Sequence, residues 1–307
     1  MSVQVSVLTP AYQRRDTLPR LYESLRAQTF PDFEWVLVDD GSSDGTGEQI
    51  EAWRAAAPFP IAYHWQPNAG KHVAVNRGVA MAQGAYCALI DSDDWYAPQA
   101  LAEMVACWES IPEPLRDGFA DVEGLRVDAE GSLVGDRFPA DPFDSNAFEI
   151  GALHGIRGDT IGMYRTAVLR EFPFPEDLGW HVTPSLVWNR IAARFQTRFA
   201  NRIWAHTDYQ AGGLSARDTE LRLRFPQAQL TYWSELAAMP RPMTRRVRFK
   251  ANANRVRYLL ATGAGAGSVL RGTPTPLWAL AAAPAGVLLR LRDRRTRGRL
   301  GPGEGEG

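Results

Sequence analysis

Five aspartates fall in two short clusters whose spacing suggests a place where charge is handled. Asp39 and Asp40 open the run Asp-Asp-Gly-Ser-Ser-Asp-Gly, and Asp91, Asp93 and Asp94 lie in Asp-Ser-Asp-Asp. Each cluster follows a short apolar run with the composition of a strand. In an open parallel sheet, ligands bind beyond the carboxyl ends of the strands, so both clusters are expected at one sheet edge. Taken singly, each reads equally well as a turn that caps the next helix. Taken together, they read as a site. Converging carboxylates repel one another, and a hard divalent cation, Mg2+ or Mn2+, is their natural partner beside substrate phosphates. Lys71 and His72 stand at the expected start of a helix, where an anion is welcome. The first strand-to-helix turn, Thr9-Pro10-Ala11-Tyr12-Gln13-Arg14, lacks the glycines that a nicotinamide dinucleotide requires. Tyr12 is suited to stack on a base, and Asp39 to accept a hydrogen bond from a ring N–H.

The elements that must position these residues alternate. Strand signals cover residues 3–8, 34–38, 61–65 and 85–90. Between them lie helical patterns: one capped by Asp16 with Leu18, Leu21, Tyr22 and Leu25 on a face, one over 46–57, and one over 73–82 stopped by Gly84. This alternation predicts βαβ units and a mostly parallel sheet flanked by helices. Residues 112–150 are rich in Pro, Gly and Asp and read as loops with short strands, for example over 124–127. A helix is expected over 184–195, with Thr183 as N-cap and Pro184 in its first turn. Residues 222–236 and 244–261 also read as helical, with a flexible break at 263–267. The last residues, Gly-Pro-Gly-Glu-Gly-Glu-Gly, are expected to be disordered.

Composition fits a soluble globular chain: 307 residues, 45% hydrophobic and 22% charged. Two cysteines, Cys87 and Cys107, exclude a disulfide framework, and no CxxC pair suggests zinc. The N-terminus reads as a first strand rather than a secretory leader, so a cytoplasmic location is expected. Charge is segregated along the chain. Residues 1–235 carry 20 basic and 32 acidic side chains, whereas residues 236–307 carry 14 basic and 3 acidic. A basic tail of this kind predicts an anionic partner. The apolar run 277–289 has 13 residues and contains Pro284, and arginines follow it. Spanning a bilayer takes about 20 apolar residues. A peripheral contact with an anionic membrane is expected instead, and no nucleic acid.

The residues resemble family 2 glycosyltransferases of the GT-A fold. The matching stretches are 5–12, 34–45 (EWVLVDDGSSDG), 68–76 (NAGKHVAVN) and 88–95 (ALIDSDDW). A looser likeness runs through Leu186-Val187-Trp188-Asn189 and residues 209–215. The resemblance implies a catalytic domain over 1–235, its nucleotide-sugar half about 1–110 and its acceptor half about 111–235, then a helical basic extension over 236–307. It implies that Thr9, Pro10 and Tyr12 line the base and that Asp39 bonds it, most simply at the N3–H of uracil. Asp40, Lys71 and Asn76 are counted with the donor-binding side chains. Asp91 is placed near ribose and metal, and Asp93 as metal ligand. The implied reaction is an inverting transfer of a sugar from a nucleotide diphosphate to a hydroxyl of a glycan, lipid-linked or small-molecule acceptor.

One departure bears on the mechanism. The family pattern places an acidic residue before the Ser-Leu-x-Trp helix, and here Pro184 stands there. His181 is the expected replacement as general base, since an imidazole near pKa 6.5 suits base catalysis at neutral pH. Asp177 and Glu176 are reserves, and Asp94 or Asp159 the alternatives elsewhere in the chain. A nucleotidyltransferase and a catalytically weak scaffold are the competing functions.

Overall fold

A computed structural model of the protein describes residues 3–208, 214–270 and 273–300. They form two compact units. The first is Met1–Glu176 with Arg190–Ala211, and the second Asp177–Asn189 with Gly212–Gly307. The expected boundary after residue 235 is therefore displaced. Residues 177–189 and 212–235 group with the basic segment, because α9 (Pro226–Ala238) packs on α10 (Arg245–Ala261). The expected disorder at 301–307 and most of the looser stretch 209–215 lie outside the described residues.

In the first unit, nine strands among the described residues form one sheet. They are β1 (Val5–Ala11), β2 (Phe33–Asp39), β3 (Ile61–Trp65), β4 (Tyr86–Leu89), β5 (Trp95–Tyr96), β6 (Phe119–Val127), β7 (Phe143–Ser145), β8 (Thr160–Arg165) and β9 (Gln196–His206). The spatial order is β3-β2-β1-β4-β8-β6-β9-β5, with β7 paired to β9. The β3-β2-β1-β4 block is parallel throughout. Beyond β4 the sheet is mixed: β8 runs antiparallel to both β4 and β6, whereas β9 runs parallel to β6. The expected parallel arrangement is thus continuous over the first four strands and returns in the β6–β9 pair. The loop-rich stretch after residue 112 contains the nine-residue β6, far longer than the expected 124–127.

β1 and β2 are buried along their whole length. Strands covered on both faces carry nearly continuous apolar runs, and Val5, Val7, Leu8, Trp35, Val36 and Leu37 are such residues. Helix α1 (Leu18–Arg26) lays Leu18, Leu21, Tyr22 and Leu25 on this core. Its N-cap residue is Thr17, without a side-chain cap bond, rather than Asp16. Tyr22 stacks on Trp53 of α2 (Thr46–Arg54) at 4.4 Å. Helix α3 (Lys71–Met81) crosses β1 through Gly78, where a Cβ would lie 2.4 Å from a Leu8 methyl. Helix α4 (Ala100–Glu109) completes the core with Leu101, Met104 and Trp108, and Trp204 of β9 donates its indole N–H to Glu103 at 2.9 Å.

Helix α7 (Ser185–Arg194) forms as expected, one residue later than its sequence signal. The Thr183 hydroxyl accepts from the Gln229 amide at 2.8 Å. The second unit continues with α8 (Leu214–Arg224), α9, α10 and α11 (Pro276–Leu300). Pro226 divides what the sequence offered as one helix over 222–236. Thr244 caps α10 by accepting from Val247 N–H at 3.3 Å.

Candidate functional site

The register of β1, β2 and β3 aligns Ala11, Asp39 and Trp65 at one sheet edge. The loops after these strands, and that after β4, therefore open on the same side. Asp40 N–H donates to Ala11 O and Gln66 N–H to Asp39 O, which fixes the three loops side by side. Gly41 has φ +93°, and a Cβ there would lie 2.8 Å from Asn68 N. Only glycine suits both the backbone and the close approach.

The two clusters behave differently from the convergence expected of them. Asp39 is fully buried; its carboxylate accepts from Ser42 N–H at 2.8 Å and from the Tyr63 hydroxyl at 2.9 Å. Burial and then this bond to Asp39 raise the Tyr63 pKa. Asp40 is turned toward the loop that starts α3. It accepts from the Gln66 amide at 2.8 Å, Ala69 N–H at 2.9 Å and Gly70 N–H at 2.8 Å. Asp40 is thus a clamp that sets the first turn of α3, and not a group presented to a ligand. Asp94 is buried against Arg126. Desolvation lifts its pKa to about 6 against the opposing pull of Arg126. Asp94 is thus engaged by Arg126 and more buried than Asp91 and Asp93.

Asp91 and Asp93 remain at the edge. Lys71 Nζ stands 2.6 Å from Asp91. Burial works against the ionised Asp91, but Lys71, Arg126 and Arg14 hold its pKa below the usual value. Asp93 moves the other way: burial and the neighbouring charge of Asp91 raise it, with Arg14 opposing. Two adjacent carboxylates, one strained by the other, gain from a shared cation. Among the described residues no cluster of three His, Cys, Asp or Glu side chains could hold a metal. The donor set is thus two carboxylates, with Lys71 and Arg14 acting on both and Arg126 on Asp91. That set fits Mg2+ or Mn2+ bound partly by the protein and partly by substrate phosphates.

Of the residues expected to line a base, Tyr12 alone has an exposed side chain. Thr9 is buried and its hydroxyl accepts from the Trp35 indole N–H at 3.0 Å; Pro10 is buried beside it. The alternating direction of side chains along β1 turns Thr9 into the core. Asn76 is likewise diverted. Its amide donates to Phe174 O and to Glu176 and accepts from Phe174 N–H, tying α3 to the 174–176 segment. Glu176 is engaged in this tie, and Asp159 is exposed just before β8. His154 packs edge-on against Phe143, a structural contact. His181 and Asp177 belong to the second unit, and the His181 Nε2 atom is buried.

Sequence reasoning missed four cationic or polar participants: Arg14, Arg20, Tyr63 and Arg126. Arg20 donates to the Asp93 carbonyl oxygen at 3.1 Å and to Asp208 at 3.1 Å, and its guanidinium lies 3.8 Å above the Trp95 ring. Trp95 also stacks on His206 at 5.1 Å. Arg14 had a sequence signal in its place on the first strand-to-helix turn. Arg20, Tyr63 and Arg126 reach the site only through strand order and helix packing.

An open α/β sheet with paired aspartates after its fourth strand, followed by a helical C-terminal region, is the GT-A transferase architecture. The chain belongs to glycosyl transferase family 2, whose family profile matches residues 6–172, more than half its length. It is 35% identical over 94 residues to glycosyltransferase GlyG of Streptococcus pneumoniae, which is 31% of each chain. It is 36% identical over 101 residues to abequosyltransferase RfbV of Salmonella typhimurium, 32% of this chain and 30% of that one. The chain thus spans about a third of the length of these relatives. Among solved structures, S. aureus TarS 1–349 in complex with UDP superposes with TM-score 0.63 at 17% identity, over 95% of this chain and 92% of that one. The mannosyltransferase PcManGT from Pyrobaculum calidifontis, in complex with GDP-Man and Mn2+, gives 0.56 at 18% identity, over 96% and 83%.

Proposed function

We propose that the protein is an inverting, metal-dependent glycosyltransferase that moves a sugar from a nucleoside diphosphate, UDP in the first instance, to an acceptor hydroxyl. The observation that carries this reading is the Asp91–Asp93 loop, with Lys71 drawn onto Asp91 from the N-terminus of α3. The relatives' names and the nucleotides in the two solved structures support it.

Asp91 and Asp93 would hold the divalent cation. When bound, Mg2+ or Mn2+ neutralises the diphosphate as it leaves. Lys71 and Arg14 add positive charge on the same side, and the α3 amides add their own. Tyr12 offers a ring to the base. Asp39 fixes Tyr63 and Ser42 below it, and each carboxylate oxygen keeps a second lone pair for a ring N–H. For the general base the proposal keeps His181 of the second unit, in the role that Pro184 cannot fill. The acceptor is a glycan, a lipid-linked glycan or a small molecule. An anionic membrane surface is the partner this reading gives the basic C-terminal segment, with the enzyme peripheral on the cytoplasmic face.

The test is release of nucleoside diphosphate from a panel of nucleotide sugars with Mn2+. Release is expected with at least one UDP-sugar, and Asp93→Asn should abolish it while leaving the fold intact. Wild-type turnover that survives chelator, matched by Asp93→Asn, overturns the metal assignment. The base is tested separately by transfer against pH for wild type and His181→Ala. A mutant that keeps both its rate at neutral pH and the acidic limb of the profile shows that His181 is not the base.

A further inference from the structure

Helix α11 has two unlike faces. Ala279, Ala282, Gly286 and Asp293 are buried. They recur at spacings that place them on one side of a helix. Gly286 brings the backbone of α11 against α10: a Cβ there would lie 2.6 Å from Ala253 O and 2.7 Å from Val256 Cβ. Asp293 closes the same side, accepting from Arg257 at 2.6 and 2.7 Å. These contacts fix the rotation of α11 about its own axis.

The opposite side is apolar and uncovered within its unit. Leu277, Leu280, Pro284, Leu288 and Leu291 follow one another at three- and four-residue steps and are all exposed, Leu277 to 80% and Leu288 to 67%. Such a stripe ordinarily faces a core. Here the core side is already taken by the small residues that meet α10. The stripe runs directly into exposed Arg292, Arg294 and Arg295. No acidic residue occurs between Leu236 and Arg292, and Asp293 is buried in its pair with Arg257. A second copy of the chain would bring like charges together on this face. Among the described residues no helix is long and apolar enough to cross a membrane.

We propose that the Leu277–Leu291 face of α11 docks on an anionic membrane surface, its leucines entering the interface and Arg292, Arg294 and Arg295 meeting lipid phosphates. The inference rests on the membrane reading of the basic segment and names the face that makes the contact. A helix in this setting lies in the plane of the interface, held by buried apolar area and by charge. Fixing by α10 means the face is presented before binding, with no helix to be ordered by lipid.

The experiment is flotation of the full-length protein with vesicles of phosphatidylcholine alone and with about one-third phosphatidylglycerol. Wild type should float with the anionic vesicles. Leu280→Glu with Leu288→Glu should lose about tenfold or more in partitioning. Arg292→Gln with Arg294→Gln and Arg295→Gln should lose about a hundredfold, reflecting one increment per arginine near the surface. Leu115→Glu, at an equally exposed site of the first unit, should float as wild type does. All variants should keep wild-type helicity and UDP affinity in solution, since the altered side chains are exposed. Wild type that ignores anionic vesicles overturns the membrane reading and the face together. Wild type that floats with the leucine pair mutant floating equally well leaves the membrane reading standing and overturns the face. A concentration-dependent dimer in sedimentation, abolished by the leucine pair, shows that the face serves a second copy and also overturns the inference.

Discussion

Asp39 is a residue whose type was readable and whose surroundings were not. Its carboxylate is buried and accepts from the Tyr63 hydroxyl and from Ser42 N–H, so removing it leaves two partly buried donors without this acceptor. Asp39→Ala should therefore weaken UDP binding and also lower the thermal midpoint. A hydrogen bond to a charged group is worth roughly 1.5–3 kcal/mol. The dissociation constant should rise roughly tenfold to hundredfold. Tyr63→Phe removes one donor but leaves the carboxylate, so its effect on affinity should stay within about threefold. Calorimetry with UDP decides the matter: unchanged affinity in Asp39→Ala would remove the uracil assignment. The Arg20 bond to the Asp93 carbonyl gives a second residue-scale expectation. Arg20→Met should raise the Mn2+ concentration needed for half-maximal activity more than it lowers the limiting rate, because it frees the loop without touching the carboxylate. An equal loss in the limiting rate with the Mn2+ requirement unchanged would contradict this positioning role.

Among the elements, α3 does most to assemble the site. Its first turn carries Lys71, Asp40 clamps that turn from the β2 loop, Asn76 ties its middle to residues 174–176, and Gly78 lets it sit on β1. Gly78→Val should push the helix from Leu8 and cost about 1–3 kcal/mol of stability by overpacking. The same shift moves Lys71, so donor KM should rise in parallel. A mutant with a lower urea midpoint and an unchanged donor KM would uncouple the helix from the site. The elements themselves were largely legible. Short apolar runs and period-3.6 patterns placed the first four strands and α1 to α3, because each is a signal carried by a local window of sequence. The antiparallel return of β8 and the length of β6 were not, since strand order is a long-range choice that no window of sequence carries. The same limit hid Arg126 and Tyr63 from the site, and hid the neighbours that engage Thr9, Asp40 and Asn76, read as donor-binding groups, and Asp94, read as a candidate base.

On the scale of the whole molecule, the sheet of the first unit carries a buried pair of carboxylates among its described residues. Asp121 and Glu123 share one face of β6. Both are buried, with the Thr197 hydroxyl of β9 donating to Asp121 at 2.7 Å and the Tyr164 hydroxyl of β8 donating to Glu123 at 2.7 Å. Burial, and then the charge of Glu123, push the Asp121 pKa well above the 3.8 of a free aspartate. The folded protein therefore keeps a proton that the unfolded chain has released. Stability from this group is complete below pH 3.8 and drains away as pH rises toward the folded pKa, because over that interval the unfolded state binds fewer protons. Asp121→Asn has no proton to lose, and its amide can donate to Glu123 as the carboxylic acid does. The difference in unfolding free energy, mutant minus wild type, should thus climb between pH 5 and pH 7, at most by about 1.4 kcal/mol per pH unit. Urea midpoints for both proteins across that range measure it, and taking the difference removes the opposite trend of the surface carboxylates. A difference that stays flat would mean that Asp121 ionises in the fold as it does in the free chain.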